Sequence, residues 1–229
     1  AVAFGRKLGK TVVVCKDGPG FIVNRILGPY MNEAGFLLDE GYAIAAVDKA
    51  LVTFGMPLGP LNLLDEVGID VAQKAGQVLA EAFGERAKAS RLVDLLVADE
   101  RFGTKNGRGL YLWVNGKKSG PDPAVYKLLG TAGSVDGNGH EIALRLVAGM
   151  VNEAAMILDE GIASCAADID LAMIMGTGFP PFRGGLLRYA DDLGLLRHRQ
   201  IMTSVDHRVV PKPRFQRHAL TNSASVSAP

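Results

Sequence analysis

The sequence predicts a mainly α chain, made of two tandem helical repeats that follow a short helix-and-strand remnant of an α/β domain. Three observations carry this. Apolar residues recur at helical spacing through most of the chain, a block of sequence returns at an offset of 120 positions, and one β-branched run stands alone near the start. Hydrophobic residues make up 48% and charged residues 21% of the 229 positions, a globular balance that excludes a disordered or collagenous chain. Lys and Arg number 25 against 24 acids, so no overall basic excess points to nucleic acid or a membrane surface. No apolar run reaches the ~18 residues that a membrane span requires. Lys7, Lys10 and Lys16 interrupt the apolar stretches near the start, which does not suit a signal peptide. Cys15 and Cys165 lie far apart with no metal-ligand spacing and read as reduced thiols.

Residues 1–16 read as the end of a helix, a tight Leu8-Gly9-Lys10 link and a strand. Thr11-Val12-Val13-Val14-Cys15 has the pattern of a strand buried on both faces of a parallel sheet, whose partners would lie outside this chain. With Ala1 in place of an initiator Met, this predicts a piece that starts inside an α/β domain. Asp17-Gly18-Pro19-Gly20 breaks the chain, and from Phe21 the period becomes helical through Val23, Leu27, Tyr30, Ala34 and Leu38, with Gly41 as the stop. A second helix covers residues 45–54, and Pro57-Leu58-Gly59-Pro60 makes a rigid corner, with Pro60 placed to start a short helix through Val67. Asp70 is placed to cap a helix ending at Phe83, and Ser90 another reaching Arg101. Glycines 103, 107 and 109 around Tyr111-Leu112-Trp113 suggest a small hairpin, and residues 114–138, rich in Gly, Pro, Lys and Ser, read as a linker.

Past that linker the chain repeats itself. Asn32-Glu33-Ala34 and Leu38-Asp39-Glu40-Gly41 return as Asn152-Glu153-Ala154 and Leu158-Asp159-Glu160-Gly161; Val47-Asp48 returns as Ile169-Asp170, and Gly55-Met56-Pro57 as Gly178-Phe179-Pro180. Several matches in the same order mark two copies of one helical unit, 17–113 and 139–194. The repeated carboxylates Asp39, Glu40, Asp159 and Glu160 fall at helix ends and read as cap and surface groups. From Leu195 on there are six Lys or Arg, three of the four His and a single acid, Asp206, which predicts a disordered basic tail over 195–229.

Asn24 is the first candidate for chemistry. It sits in the opening turn of a helix, just beyond a strand and a glycine-rich turn, the end of an open α/β unit where ligands collect. A carboxamide donates and accepts at once, so it can orient a substrate hydroxyl or carbonyl; bonding nearby backbone is an equally open role.

The segment Lys16-Asp17-Gly18-Pro19-Gly20-Phe21-Ile22-Val23-Asn24-Arg25 resembles the start of the C-terminal domain of 3-hydroxyacyl-CoA dehydrogenases. Gly55-Met56-Pro57-Leu58-Gly59-Pro60, Leu63 to Asp70 and Asn106-Gly107-Arg108-Gly109-Leu110-Tyr111 follow in the family's order, and the duplication resembles the multifunctional fatty-acid β-oxidation enzymes. The resemblance covers residue 1 to about Gly194. It implies a fold of the 6-phosphogluconate-dehydrogenase-like helical type, with residues 1–16 as a remnant of the NAD-binding Rossmann domain. It also implies NAD-linked oxidation of 3-hydroxyacyl-CoA to 3-ketoacyl-CoA. Asn24 matches the family's Asn at the reacting end of the substrate, and Pro57, Leu58, Gly59 and Pro60 lie near the acyl pocket.

The family's catalytic His–Glu pair and its dinucleotide loop would precede residue 1, so the resemblance implies an inactive isolated chain that binds no NAD and no metal. Implied partners are an acyl-CoA substrate, upstream Rossmann and hydratase domains, and a thiolase subunit or a second copy. Implied localisation is cytoplasmic for a bacterial protein, otherwise mitochondrial or peroxisomal. The second repeat, which lacks the Pro-Gly-Phe-x-x-Asn-Arg run, is expected to brace the first. The tail departs from the family, for which a replaced or frameshifted C-terminus is one explanation. A stand-alone helical interaction module of the same descent is the alternative from another class. The helical domain of a β-hydroxyacid dehydrogenase is a third reading, against which stands the missing Gly-x-x-Gly and Lys helix.

Overall fold

The structure, a computed structural model, describes residues 1–194, so the expected disordered tail lies outside the described residues. In order come α1 (Val2–Lys7), α2 (Val23–Asp39), α3 (Ile44–Phe54), α4 (Pro60–Val67), α5 (Ile69–Phe83), a 3-10 turn (Gly84–Ala87) and α6 (Leu92–Ala98). An antiparallel hairpin of β1 (Tyr111–Val114) and β2 (Lys117–Pro121) follows, then α7 (Pro123–Leu129), α8 (Gly139–Asp159), α9 (Ala166–Thr177), a 3-10 turn (Pro181–Arg183) and α10 (Leu186–Leu193).

The core lies where the long helix of each repeat meets the other. From α2, Ile26, Tyr30, Ala34, Leu37 and Leu38 are buried; from α8, Leu146, Met150, Ala154 and Ile157, both sets at the i, i+3/i+4 spacing that makes one apolar stripe. α3 adds Val47 and Leu51 against α8, and Phe54 meets Phe179 and Tyr189 edge-on at ring separations of 5.8 and 5.2 Å.

Contacts between the repeats are reciprocal, the signature of a two-fold interface. A Cβ on Gly55 would collide with Pro180 and Phe182, and one on Gly178 with Pro57, the counterpart of Pro180. The chain preceding each long helix also crosses to the other copy. Cys15 forms an antiparallel bridge with Ala163, while Val135 bridges Tyr42 in the opposite direction across the seam. Within each copy the third element is anchored alike. Asp48 on α3 accepts the N–H of Leu61 and Asn62 at the start of α4, and Asp170 on α9 accepts those of Leu187 and Arg188 at the start of α10.

Four expectations are corrected. Thr11–Val14 forms no strand; apart from the Cys15 bridge the segment has no ladder, because no neighbouring strand exists among the described residues, and Val14 is exposed. The stretch 114–138 is not a linker throughout, since it holds β2 and α7, with Val125 and Leu129 in the core and Asp122 capping α7 from its side chain. Its polar composition hides a helix of only seven residues. Ser90 caps nothing; it is buried in contact range of Gly35, and α6 starts at Leu92 and ends at Ala98. Asp70 lies within the first turn of α5, whose N-cap is Gly68, and its carboxylate accepts from Lys105 Nζ at 2.6 Å.

Candidate functional site

The turn before α2 aims the first site residue. Gly20 and Phe21 both have positive φ, and a Cβ on Gly20 would come within 2.8 Å of the Arg25 nitrogen, so the close return of the chain needs glycine there. The next residues enter α2 with Asn24 in the first turn, exposed and with no side-chain hydrogen bond among the described residues. Its carboxamide is therefore not committed to the local backbone.

Asn24 borders an apolar cleft of about 560 Å³ between α2 and α5, floored by α4. The α2 wall is Val23, Leu27 and Met31, and the floor is Leu63, Leu64 and Val67. Pro57 and Leu58 also face it, whereas Gly59 and Pro60 do not line it. Those two are buried at the corner instead, where a Cβ on Gly59 would strike the Asp48 carboxylate. The five expected site residues are thus split. Asn24, Pro57 and Leu58 share one cleft, and Gly59 and Pro60 serve the start of α4.

Electrostatics concentrate on two supports of this cleft. Arg25 reaches into the seam and is 3% exposed. Its Nε donates to Glu153 at 2.6 Å, Nη1 and Nη2 donate to Glu160 at 2.7 and 2.9 Å, and its guanidinium lies 4.6 Å from the Phe83 ring centre. Burial works against its charge, but Glu160 and Glu153 outweigh that and hold its pKa above the ordinary arginine value. Glu160 is correspondingly held below the usual carboxylate range, first by the Arg25 hydrogen bond. Arg86 from the 3-10 turn joins the same two carboxylates at 3.0 and 3.2 Å, closing one end of the cleft. Glu40 and Glu160 are the C-cap residues of α2 and α8, and beyond that role they bridge the repeats.

The second support is a pair of buried carboxylates. Asp48 accepts from the Tyr111 hydroxyl at 2.7 Å as well as from the α4 backbone; burial pushes its pKa up to about 6 although those donors oppose it. Asp65 accepts the N–H groups of Leu110, Tyr111 and the Trp113 indole, and burial raises its pKa too. These carboxylates tie the hairpin to α3 and α4, and neither lines the cleft. Among the described residues no group of His, Cys, Asp and Glu is arranged to hold a metal ion.

Sequence reasoning missed the Arg25 cluster, although its signal was present. Arg25 returns as Arg145 at the same offset of 120 that relates Glu33 to Glu153 and Glu40 to Glu160. The glycines in the cleft walls, Gly28 and Gly76, carried no signal without the helix register.

The profile of the "3-hydroxyacyl-CoA dehydrogenase, C-terminal domain" family matches residues 20–113 and again 142–225. The chain belongs to this family. The second match runs to residue 225, past Gly194, where the resemblance was expected to end. The fatty acid oxidation complex subunit alpha of Shewanella halifaxensis (strain HAW-EB4) is 49% identical over 90% of this chain and 29% of its own length. That of Shewanella amazonensis (strain ATCC BAA-1098 / SB2B) is 53% identical over 84% of this chain and 28% of its length. The chain therefore spans less than a third of the curated relatives it matches. In three dimensions it is similar to 3-hydroxybutyryl-CoA dehydrogenase from Escherichia coli K12 substr. MG1655, with a TM-score of 0.73 and 26% identity, over 90% of this chain and 59% of that one. The dehydrogenase part of multifunctional enzyme 1 from C. elegans shares the fold, with a TM-score of 0.59 at 24% identity, over 76% of this chain and 40% of that one. Two family matches in tandem agree with the two structural copies.

Proposed function

We propose that this C-terminal dehydrogenase region supplies the substrate side of an NAD-dependent oxidation of 3-hydroxyacyl-CoA to 3-ketoacyl-CoA. One observation carries the reading: an uncommitted carboxamide, Asn24, stands at the margin of an apolar cleft. That is the polarity of the substrate itself, with an oxygen-bearing carbon at one end and an alkyl tail at the other. Asn24 would hold the C3 oxygen in one orientation while Pro57 and Leu58 shield the neighbouring carbons from water. Names of relatives support the substrate class, since both an oxidation complex of fatty acids and a 3-hydroxybutyryl-CoA enzyme are among them.

The residues present do not fit NAD. The described residues contain one sheet, a two-stranded antiparallel hairpin, and no parallel strand end from which a helix N-terminus could receive a pyrophosphate. No step is therefore assigned to a cofactor on this chain. Hydride acceptance and proton removal would belong to upstream domains of the parent protein, and the isolated chain would be inactive. A Rossmann and a hydratase domain as covalent neighbours, a thiolase subunit or second copy as partner, and the cytoplasm as location complete the proposal. No helix among the described residues is long and apolar enough to cross a membrane.

Calorimetric titration of the chain with 3-hydroxybutyryl-CoA and with butyryl-CoA tests the assignment of Asn24. A hydroxyl-dependent hydrogen bond should favour the hydroxy compound by roughly 2- to 10-fold, and Asn24→Ala should abolish that preference while leaving butyryl-CoA affinity unchanged. Equal preference in both proteins would remove Asn24 from the substrate. Turnover of 3-hydroxybutyryl-CoA with NAD by this chain alone would overturn the division of labour.

A further inference from the structure

The apolar cleft has a shape that the proposed reaction at Asn24 does not explain. Two contacts fix the register of its walls. Phe83 of α5 lies beside Arg25 of α2, and Leu79 lies beside Gly28, where a Cβ would come within 3.0 Å of the Leu79 Cδ1. The helices therefore run antiparallel, and α5 residues before Leu79 lie progressively farther from Asn24. Gly28 and Leu79 form a waist.

Beyond that waist the walls open. Ala72, Gln73, Gly76, Leu79 and Phe83 recur on one face of α5 and line the cleft. Gly76 is one turn past the waist, and a Cβ built on it meets nothing within 4 Å. Glycine in a helix interior costs about 1 kcal/mol relative to alanine, and neither close packing nor a positive φ demands it at this position. What the missing side chain provides is space in the chamber bounded by Met31, Val67 and Val93. The stripe from Ala72 to Phe83 spans ~16 Å at 1.5 Å per residue, well beyond the reach of a four-carbon acyl group.

We propose that Gly76 determines acyl chain length, leaving a chamber past the Gly28–Leu79 waist that receives the distal methylenes of long acyl chains. This rests on reading the cleft as the acyl site. A butyryl group ends before the waist and does not touch the chamber. A long chain passes alongside the Gly28–Leu79 contact and buries its tail mainly against apolar side chains, with the hydrogen-bonded Gln73 and Asp94 in the same lining, where each added methylene gains affinity through the area it removes from water. A bulky residue at position 76 fills that space without disturbing the end nearest Asn24.

The test measures dissociation constants of butyryl-, octanoyl- and dodecanoyl-CoA for the 229-residue chain, its Gly76→Leu variant and a Val78→Leu control. Val78 is 53% exposed and outside the cleft lining. Leucine favours helix over glycine, so the variant keeps α5 folded, checked by its thermal midpoint. Wild type should bind dodecanoyl-CoA at least about tenfold more tightly than butyryl-CoA. Gly76→Leu should lose that gain and keep butyryl-CoA affinity, and Val78→Leu should behave as wild type. No dependence on chain length in wild type would overturn the acyl-site reading itself. Dependence that survives in Gly76→Leu would overturn the role of Gly76 alone, as would equal loss in the Val78 control.

Discussion

Arg25 and Arg145 make the same ion pair in opposite directions across the seam between the repeats. Arg25 of the first copy holds Glu153 and Glu160 of the second, while Arg145 of the second holds Glu33 and Glu40 of the first. The two clusters are not equal. The Arg25 side chain is 2% exposed and carries Phe83 and Arg86 beside it, whereas that of Arg145 is 23% exposed. A duplicated device has therefore been drawn into the cleft wall on one side only.

That inequality predicts unequal mutants. Arg25→Met leaves Glu153 buried without its main partner and should cost ~3–5 kcal/mol. Arg145→Met strips a better-solvated pair and should cost roughly 1 kcal/mol. Urea unfolding of both variants against wild type measures the difference. Equal losses would mean that the two halves of the seam carry equal weight.

How much of this was legible beforehand depends on the range of the interaction. Helical periodicity found α2, α3, α4 and α5 because one face of each is apolar over several turns, and the recurrence of Asn32 to Gly41 announced the duplication. Failures came where a short segment is stabilised from afar. Thr11–Val14 looks like a strand, but strands exist only in pairs. α7 is held by Val125 and Leu129 meeting a core assembled elsewhere, and Asp70 bonds Lys105, 35 positions away, rather than its own helix end. Asn24, Pro57 and Leu58 line one cleft, while the separation of Gly59 and Pro60 from the cleft required knowing where Asp48 points.

Gly59 gives that separation a direct reading. Its missing Cβ lets the Asp48 carboxylate reach the N–H groups of Leu61 and Asn62 at 2.8 and 2.9 Å. Gly59→Ala should lower stability by ~1–3 kcal/mol through overpacking and leave butyryl-CoA affinity per folded molecule unchanged. Weakened binding with unchanged stability would return Gly59 to the substrate site.

α5 should be the least protected of the helices lining the cleft. Of its 15 residues only Ile69 is buried, and its far end is held by Arg86 on Glu153 and Glu160. Few buried contacts make an element open at low free energy. Amide hydrogen exchange should be faster over residues 72–83 than in α2, and Arg86→Ala should accelerate it several-fold there while changing global stability by about 1 kcal/mol or less. Exchange in α5 as slow as in α2 would show that the contacts with α4 and α6 suffice.

Asp48 makes stability depend on pH in a sense opposite to that of the ion-paired acids. Its pKa is raised in the fold to about 6 from an ordinary 3.8, chiefly by burial, so the folded state holds a proton that the unfolded chain has already released. Stability from this group is complete below the unfolded value and is lost as pH rises through the folded one, between about pH 4 and 6. At 1.36 kcal/mol per pKa unit, the loss is roughly 3 kcal/mol at most. Glu160, held low by Arg25, acts the other way and loses its contribution as pH falls. Comparison with Asp48→Asn isolates the single group, because the variant cannot ionise there. Wild type minus variant, from unfolding curves at pH 4, 5, 6 and 7, should fall across that interval and level off above it. A difference independent of pH would show that the Leu61, Asn62 and Tyr111 donors fully compensate the buried charge.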